Sequence, residues 1–407
     1  GWSWPKPRSR ARAGAHGWIS IGTGREMPVI TLPTADGGLQ PFTWPDVAPV
    51  EPAGMSRNRV AYAAAHVVGR PAHPTAIDWD ATLKIREHLW DCRLGVAEAM
   101  DTAQRGAGLS WPQARELIRR TLEAARTRPE ALVASGCGTD QLAPGPDVTL
   151  DDVVAAYEEQ MAYVEAHDGR VILMASRALA SAARSPDDYL AVYDRLLGQA
   201  RERVIIHWLG PMFDQALAGY WGADDIDAAM EVAVSLIQAH AKRVEGIKIS
   251  LLDKSKEIAM RRRLPDGVRM YTGDDFDFAE LIGGDAVGHS DALLGIFDAM
   301  APAAGAALHE LAVGRRGRFD AILAPCVPFS RHVFGAPTRF YKTGVVFMAW
   351  LNGHQDHFAM LGGQESERSP SHLAEVFRLA AAAGLLRDPA MAADRMQTFC
   401  RTQGIVA

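Results

Sequence analysis

Cysteine is scarce in this 407-residue sequence. There are four, Cys92, Cys137, Cys326 and Cys400, far apart and without a CxxC pair. That spacing supplies no dense disulfide framework, and reduced thiols in a cytoplasmic protein are the expectation. Positive charge is not in excess either. With 43 Lys and Arg against 49 Asp and Glu, the formal net charge is −6. Nucleic acid is therefore not an expected partner, because phosphate backbones call for a dominant basic surface. The short runs Arg261–Arg263 and Arg315–Arg316 read as solvated helix ends or turns. No apolar run approaches the roughly 18 residues of a membrane helix, so no membrane association is expected. A GxGxxG turn after the first strand is also missing, which weakens a dinucleotide-binding open sheet.

What is present is alternation. The hydrophobic fraction of 48% and charged fraction of 23% suit an ordinary globular protein with a large core. Residues 1–26 are rich in Arg, Gly, Trp and Pro without period. They read as a disordered or vector-derived leader, with Met27 as the natural start. Residues 27–57 form an N-terminal extension. Short apolar runs then alternate with amphipathic stretches: Val60–Val68, Leu94–Met100, Ala131–Gly136, Arg170–Ala175, Val204–Leu209, Val244–Ser250, Val268–Thr272 and Ala286–Ser290. Helical patterns such as Leu150–Ala166 and Asp224–Lys242 lie between most of them, and Ser110, Thr149 and Ser185 stand at helix starts. Eight such units predict a (β/α)8 barrel over residues 58–300. Residues 301–407, ending in the Ser371–Leu386 pattern, predict a helical region packed on it.

The segment Val244-Glu-Gly-Ile-Lys-Ile-Ser250 carries the most chemistry. Side chains alternate along a strand, so Ile247 and Ile249 face one way and Gly246, Lys248 and Ser250 the other. If the isoleucines meet the helices, Lys248 points into the barrel near the end where such folds build their active sites. An ammonium among apolar strands loses proton affinity, which yields the neutral amine that attacks a carbonyl. From spacing alone, a lysine that reaches solvent or binds an anion remains the alternative.

Gly246-Ile-Lys-Ile-Ser250 resembles the strand carrying the imine lysine of the dihydrodipicolinate synthase / N-acetylneuraminate lyase superfamily. Other segments are similar to that family in the same order. They are Ile77-Asp-Trp-Asp-Ala-Thr-Leu83, Gly95-Val-Ala-Glu-Ala-Met-Asp-Thr102, Val204-Ile-Ile-His-Trp-Leu-Gly-Pro211, and Tyr271-Thr-Gly-Asp-Asp275 followed by Leu281-Ile-Gly-Gly284. The resemblance covers roughly residues 58–390. It implies a class I lyase or aldolase with Lys248 as the Schiff-base residue, no cofactor beyond that lysine, and a homodimer or homotetramer.

The departures are informative. His207 stands where the family has a proton-relaying tyrosine, and a histidine titrates close enough to neutrality to do that work. The family's paired threonines, which hold a substrate carboxylate, fall on Asp101 and Thr102. The family's second tyrosine is replaced by Ala175-Ser-Arg-Ala-Leu179. An anionic Asp101 disfavours a 2-oxo acid and favours a neutral, polyhydroxylated, sugar-derived carbonyl compound, cleaved by retro-aldol chemistry or dehydrated. Asp101, Thr102 and His289 would orient its hydroxyls. His66, Glu98, Asp140, Asp274, Asp275 and His289 all stand near strand ends. His66, Glu98 and Asp274 join the substrate-binding candidates, each with a structural role as its alternative.

Two other readings of the same barrel stay open. One is a metal-dependent isomerase, epimerase or aldolase using that ring of His and carboxylate groups on a divalent metal. The other is a non-catalytic carbohydrate-binding paralogue. His354-Gln-Asp-His357 is a weaker ligand candidate, and Gly136-Cys-Gly-Thr-Asp140 reads as a tight strand-to-helix turn rather than a phosphate cradle.

Overall fold

Eight short parallel strands close into a barrel in chain order: β1 (Ala61–Ala64), β2 (Gly95–Glu98), β3 (Val133–Cys137), β4 (Arg170–Leu173), β5 (Val204–Leu209), β6 (Val244–Ser250), β7 (Arg269–Thr272) and β8 (Asp291–Leu294). The last pairs with the first, Leu293 opposite Tyr62, so no edge is left open. A computed structural model describes residues 18–20, 26–52 and 54–405.

Alternation along each strand sorts the side chains. Tyr62, Ala64, Ala97, Ala134, Ile172, Ile205, Tyr271 and Leu293 pack together inside the barrel. Val96, Val133, Val171, Val204, Ile206, Ile247, Ile249 and Met270 face outward into a larger core shared with the helices. The lumen is filled rather than hollow, as small barrels require.

Helices follow the strands: α1 (Trp79–Asp91), α2 (Trp111–Ala125), α3 (Leu150–Ala166), α4 (Pro186–Gln199), α5 (Ile226–Ala239), α6 (Lys254–Arg261) and α7 (Phe278–Gly283). Their starts are chemically marked. The Asp78 carboxylate accepts from Ala81 N at 3.1 Å, and Asp225 accepts from Ala228 N at 2.8 Å. Thr149 and Asp152 close a capping box, as do Ser110 with Gln113 and Ser185 with Asp188.

The eighth strand departs from the sequence expectation. Ala286–Ser290 is a turn: the Asp285 carboxylate accepts from Val287 N at 2.8 Å and Gly288 N at 2.9 Å. Gly284 holds φ +78 there, a conformation a side chain would resist. The strand is the next four residues, Asp291–Leu294.

Beyond the barrel the chain is helical, with α8 (Ala301–Ala312), α9 (Tyr341–Leu351), α10 (Pro370–Ala382), α11 (Pro389–Thr402) and shorter helices between α8 and α9. Every residue of α9 is buried. The segment before the barrel docks on this layer: Phe42 and Trp44 meet the Phe377 ring at 5.4 and 5.7 Å. Arg378 donates to Pro33 O at 2.9 Å. Within residues 1–26, Trp18–Ser20 pairs antiparallel with Glu26–Pro28; most of that expected leader lies outside the described residues. All four cysteines are buried and unpaired. Among the described residues no helix is long and apolar enough to cross a membrane.

Candidate active site

His207 and Lys248 are register partners on β5 and β6. Trp208 packs outward, 6.3 Å from the Trp221 ring, and Ile249 lies in the same outer core. Strand parity therefore turns His207 and Lys248 into the lumen, near the carboxyl ends of their strands. Gly273, just past β7, makes room for the lysine. A Cβ there would lie 2.8 Å from Lys248 Cε and 2.3 Å from Ser250 Oγ.

Lys248 is only 7% exposed. Among the described residues no carboxylate comes within ion-pair distance of it, although the charges of Asp101 and Asp275 reach it. Burial outweighs both and holds the ammonium below its ordinary pKa. His207 is more enclosed. Burial first, and the Lys248 charge second, keep its pKa well below the usual imidazole value, so the ring is neutral. Its Nε2 lies 3.4 Å from Ser250 Oγ, and its Nδ1 has no partner. One ring nitrogen is thus free for proton transfer.

Asp275 faces the same lysine. Its Oδ1 accepts from Ile296 N at 3.1 Å. Burial raises its carboxyl while the Lys248 charge opposes the rise. A lysine pushed down and a carboxyl pushed up can exchange one proton at little cost, leaving an amine beside a carboxylic acid.

Asp101 opens a 3-10 turn just after β2. It lines both cavities at this end of the barrel, one of about 140 Å³ that includes His207 and one of about 340 Å³ that includes Lys342. Two arginines near it are engaged elsewhere. Arg105 binds Asp140 at 2.9 Å and Gln160 at 2.6 Å, and Arg177 binds Asp214 at 2.5 Å. Asp101 is therefore left facing the lysines, and its field reaches both Lys248 and Lys342. Thr102 Oγ1 lies 2.8 Å from Tyr341 Oη.

The remaining sequence candidates are not brought to this site. Glu98 points between barrel and helices, where Arg86 clasps it at 2.8 and 2.9 Å and Thr121 donates at 2.5 Å. Parity explains this, because Ala97 takes the lumen position. His66 is held through Nδ1 by Asp298 at 2.6 Å and through Nε2 by Gln355 at 3.1 Å. Asp274 Oδ1 accepts from Phe276 N at 2.8 Å and Asp277 N at 3.0 Å. The charge of Asp275, one residue on, reaches Lys248 from beyond ion-pair distance. His289 is exposed in the turn before β8, so it lies at the opposite end of the barrel and cannot orient a substrate at the mouth.

With those partners the ring of His and carboxylate groups does not converge. Among the described residues no three such groups are placed to hold one metal ion. His354 faces His88 with ring centroids 4.2 Å apart. The turn at Gly138 spends its amide on Gln160 at 2.6 Å.

Two residues of the site were missed in the sequence, Tyr341 and Lys342. They begin α9, far from any recognisable motif. A signal existed nonetheless: Lys342 is the one charged residue in an otherwise uncharged and largely apolar eleven-residue run.

The fold is shared with dihydrodipicolinate synthases. That of Thermotoga maritima superposes with a TM-score of 0.61 at 14% identity, over 82% of this chain and 100% of that one. The chloride-inhibited enzyme of Acinetobacter baumannii, complexed with pyruvate, gives 0.58 at 14%, over 80% and 99%. CdNal of Clostridium difficile, complexed with mannosamine, gives 0.58 at 13%, over 79% and 98%. No curated protein sequence matches the chain. Residues 30–405 match the family model described as protein of unknown function DUF993, and the chain belongs to that family.

Proposed function

We propose that this protein is a class I lyase in which Lys248 forms an imine with a polyhydroxylated, sugar-derived carbonyl compound. The observation that carries this reading is the triad of Lys248, Asp275 and His207, with the ammonium pushed down, the carboxyl pushed up and the imidazole neutral. Lys248 passes a proton to Asp275 and attacks the carbonyl carbon; water leaves as the iminium forms. His207 then takes the proton of a substrate hydroxyl as the adjacent C–C bond breaks. The bonding electrons move into the iminium, which becomes an enamine. In the dehydrating variant His207 first takes the proton from the carbon beside the iminium, which becomes an enamine. It then returns that proton to the hydroxyl on the next carbon as the enamine electrons expel that hydroxyl as water. No metal enters any of these steps. The protein is read as cytoplasmic and as a homodimer or homotetramer.

Asp101 directs the choice of substrate. A second anion about 4 Å from it is opposed by several kcal/mol at an effective dielectric near 20, more than one hydroxyl hydrogen bond of about 1 kcal/mol restores. A relative complexed with pyruvate accepts a 2-oxo acid, whereas here pyruvate should trap poorly.

Borohydride reduction with a panel of hydroxyketones and pyruvate, followed by peptide mass mapping, tests the proposal. The expected adduct is on Lys248 and is larger with neutral ketones. An adduct on Lys342, or none from any carbonyl compound, would overturn the assignment. Efficient trapping of pyruvate would overturn the neutral-substrate part alone.

A further inference from the structure

The larger cavity at the mouth has chemistry that the imine does not use. It encloses about 340 Å³ and shares Asp101, Arg105, Arg177 and Asp214 with the cavity that reaches His207. Its far side is formed by Arg339, Phe340 and Lys342. Lys342 is 8% exposed, and the hydrogen bond of its ammonium goes to Arg339 O at 3.2 Å. Among the described residues no carboxylate lies within ion-pair distance of Lys342 or of Arg339. The Arg339 guanidinium lies over the Phe340 ring at 4.5 Å and is exposed.

The charges here do not cancel. Arg105 is matched by Asp140 and Arg177 by Asp214. Two cations of its lining remain, Lys342 and Arg339, against one carboxylate, Asp101. The field of Asp101 reaches both Lys342 and Lys248. A buried ammonium without a close counter-ion is costly, and burial holds Lys342 below its ordinary pKa. Such a group is tolerated where a ligand completes it. An ammonium and a guanidinium facing one cavity suit a doubly charged tetrahedral oxyanion better than a single carboxylate.

We infer that Lys342 and Arg339 form a phosphate subsite, so that the substrate is a phosphomonoester whose phosphate sits remote from the carbonyl that Lys248 attacks. This deepens the reading of the mouth as an imine-forming site and rests on it for the orientation of the substrate. Asp101 lines the same cavity, where the two cations outnumber it, so an anion can be accepted beside Lys342 and Arg339 although the carboxylate opposes charge next to the reacting carbon.

Inorganic phosphate, titrated into the intact protein at low ionic strength by calorimetry, tests the subsite without any imine chemistry. The expected result is a dissociation constant of about 1 mM or tighter. Lys342→Met should weaken it at least about tenfold and Arg339→Ala several-fold, with Lys248→Met staying within about threefold. If Lys342→Met fails to fold by circular dichroism, the exposed Arg339→Ala decides. Absence of phosphate binding, or unchanged binding in both rim variants, overturns the subsite. Acetate binding as tightly as phosphate overturns the phosphomonoester class. None of these outcomes depends on whether borohydride labels Lys248, so the two proposals fail separately.

Discussion

The two ends of the barrel treat charge in opposite ways. At the amino end of the strands, Arg269 pairs with Asp291 at 2.6 Å, and Tyr271 Oη donates to Glu245 at 2.8 Å. Arg203 donates to Val244 O at 2.6 Å and Gly267 O at 2.7 Å. The Tyr62 hydroxyl, buried there, has no partner. At the carboxyl end, Lys248 and Lys342 are buried without close counter-ions, and His207 Nδ1 is orphaned. Matched charge holds a fold together, whereas unmatched buried charge is unfavourable for the fold and is kept for chemistry. The lesson is local: the same eight strands end in a closed electrostatic circuit on one side and an open one on the other.

That contrast can be broken by substitution, beginning with the open end. Lys248→Arg retains the charge but removes a usable nucleophile. Turnover should fall by about 10³-fold or more while the melting temperature stays level or rises. Unchanged turnover in this variant would sink the imine mechanism. His207→Phe removes the proton carrier and should cost roughly 10²-fold in kcat with little change in KM. A loss of stability without a loss of kcat would reduce His207 to packing. At the closed end the pattern should invert. Arg269→Met strands a buried Asp291 and should cost about 1–2 kcal/mol in a denaturant titration, because the arginine itself is half-exposed, with kcat untouched.

The last test is one of pH and concerns Glu257, which lies between the barrel and its helices. It accepts from Ser290 Oγ at 2.6 Å, and burial pushes its carboxyl up to about 8. The folded protein then holds a proton that the unfolded chain releases above its ordinary carboxyl range. Stability should therefore fall as pH rises through the window up to about 8, with a slope no steeper than about 1.4 kcal/mol per pH unit. Glu257→Gln should flatten that slope, and an unaltered pH profile would show that Glu257 is ionised in the fold.

Period-two alternation made the lumen legible. Seven of the eight strand positions overlap the runs read from the sequence, and parity alone turned His207 and Lys248 inward. Helix starts at Ser110, Thr149 and Ser185 were readable because capping is a local event. The failures are of two physical kinds. Near strand ends, one residue of slip changes the face: Glu98 goes to the helices and Ala97 to the lumen, and it is the charge of Asp275 rather than Asp274 that reaches the lysine. His289 failed for a related reason, since Asp285 folds its segment into a turn and delays the strand. Tyr341 and Lys342 failed differently. They reach the mouth through packing between segments more than 200 residues apart in the chain, and no local periodicity reports that.

The buried cysteines add a consequence of another sort. Cys137 lies in a barrel strand, Cys92 caps α1, Cys326 starts a helix of the outer layer and Cys400 lies in α11. Burial raises all four thiols, the first three to about 12. A thiol that cannot ionise and cannot be reached reacts only when its own neighbourhood opens. The chain therefore carries four native clocks, two in the barrel and its first helix and two in the helical cover. Timed alkylation at rising denaturant would record whether the helical cover detaches before the barrel or together with it.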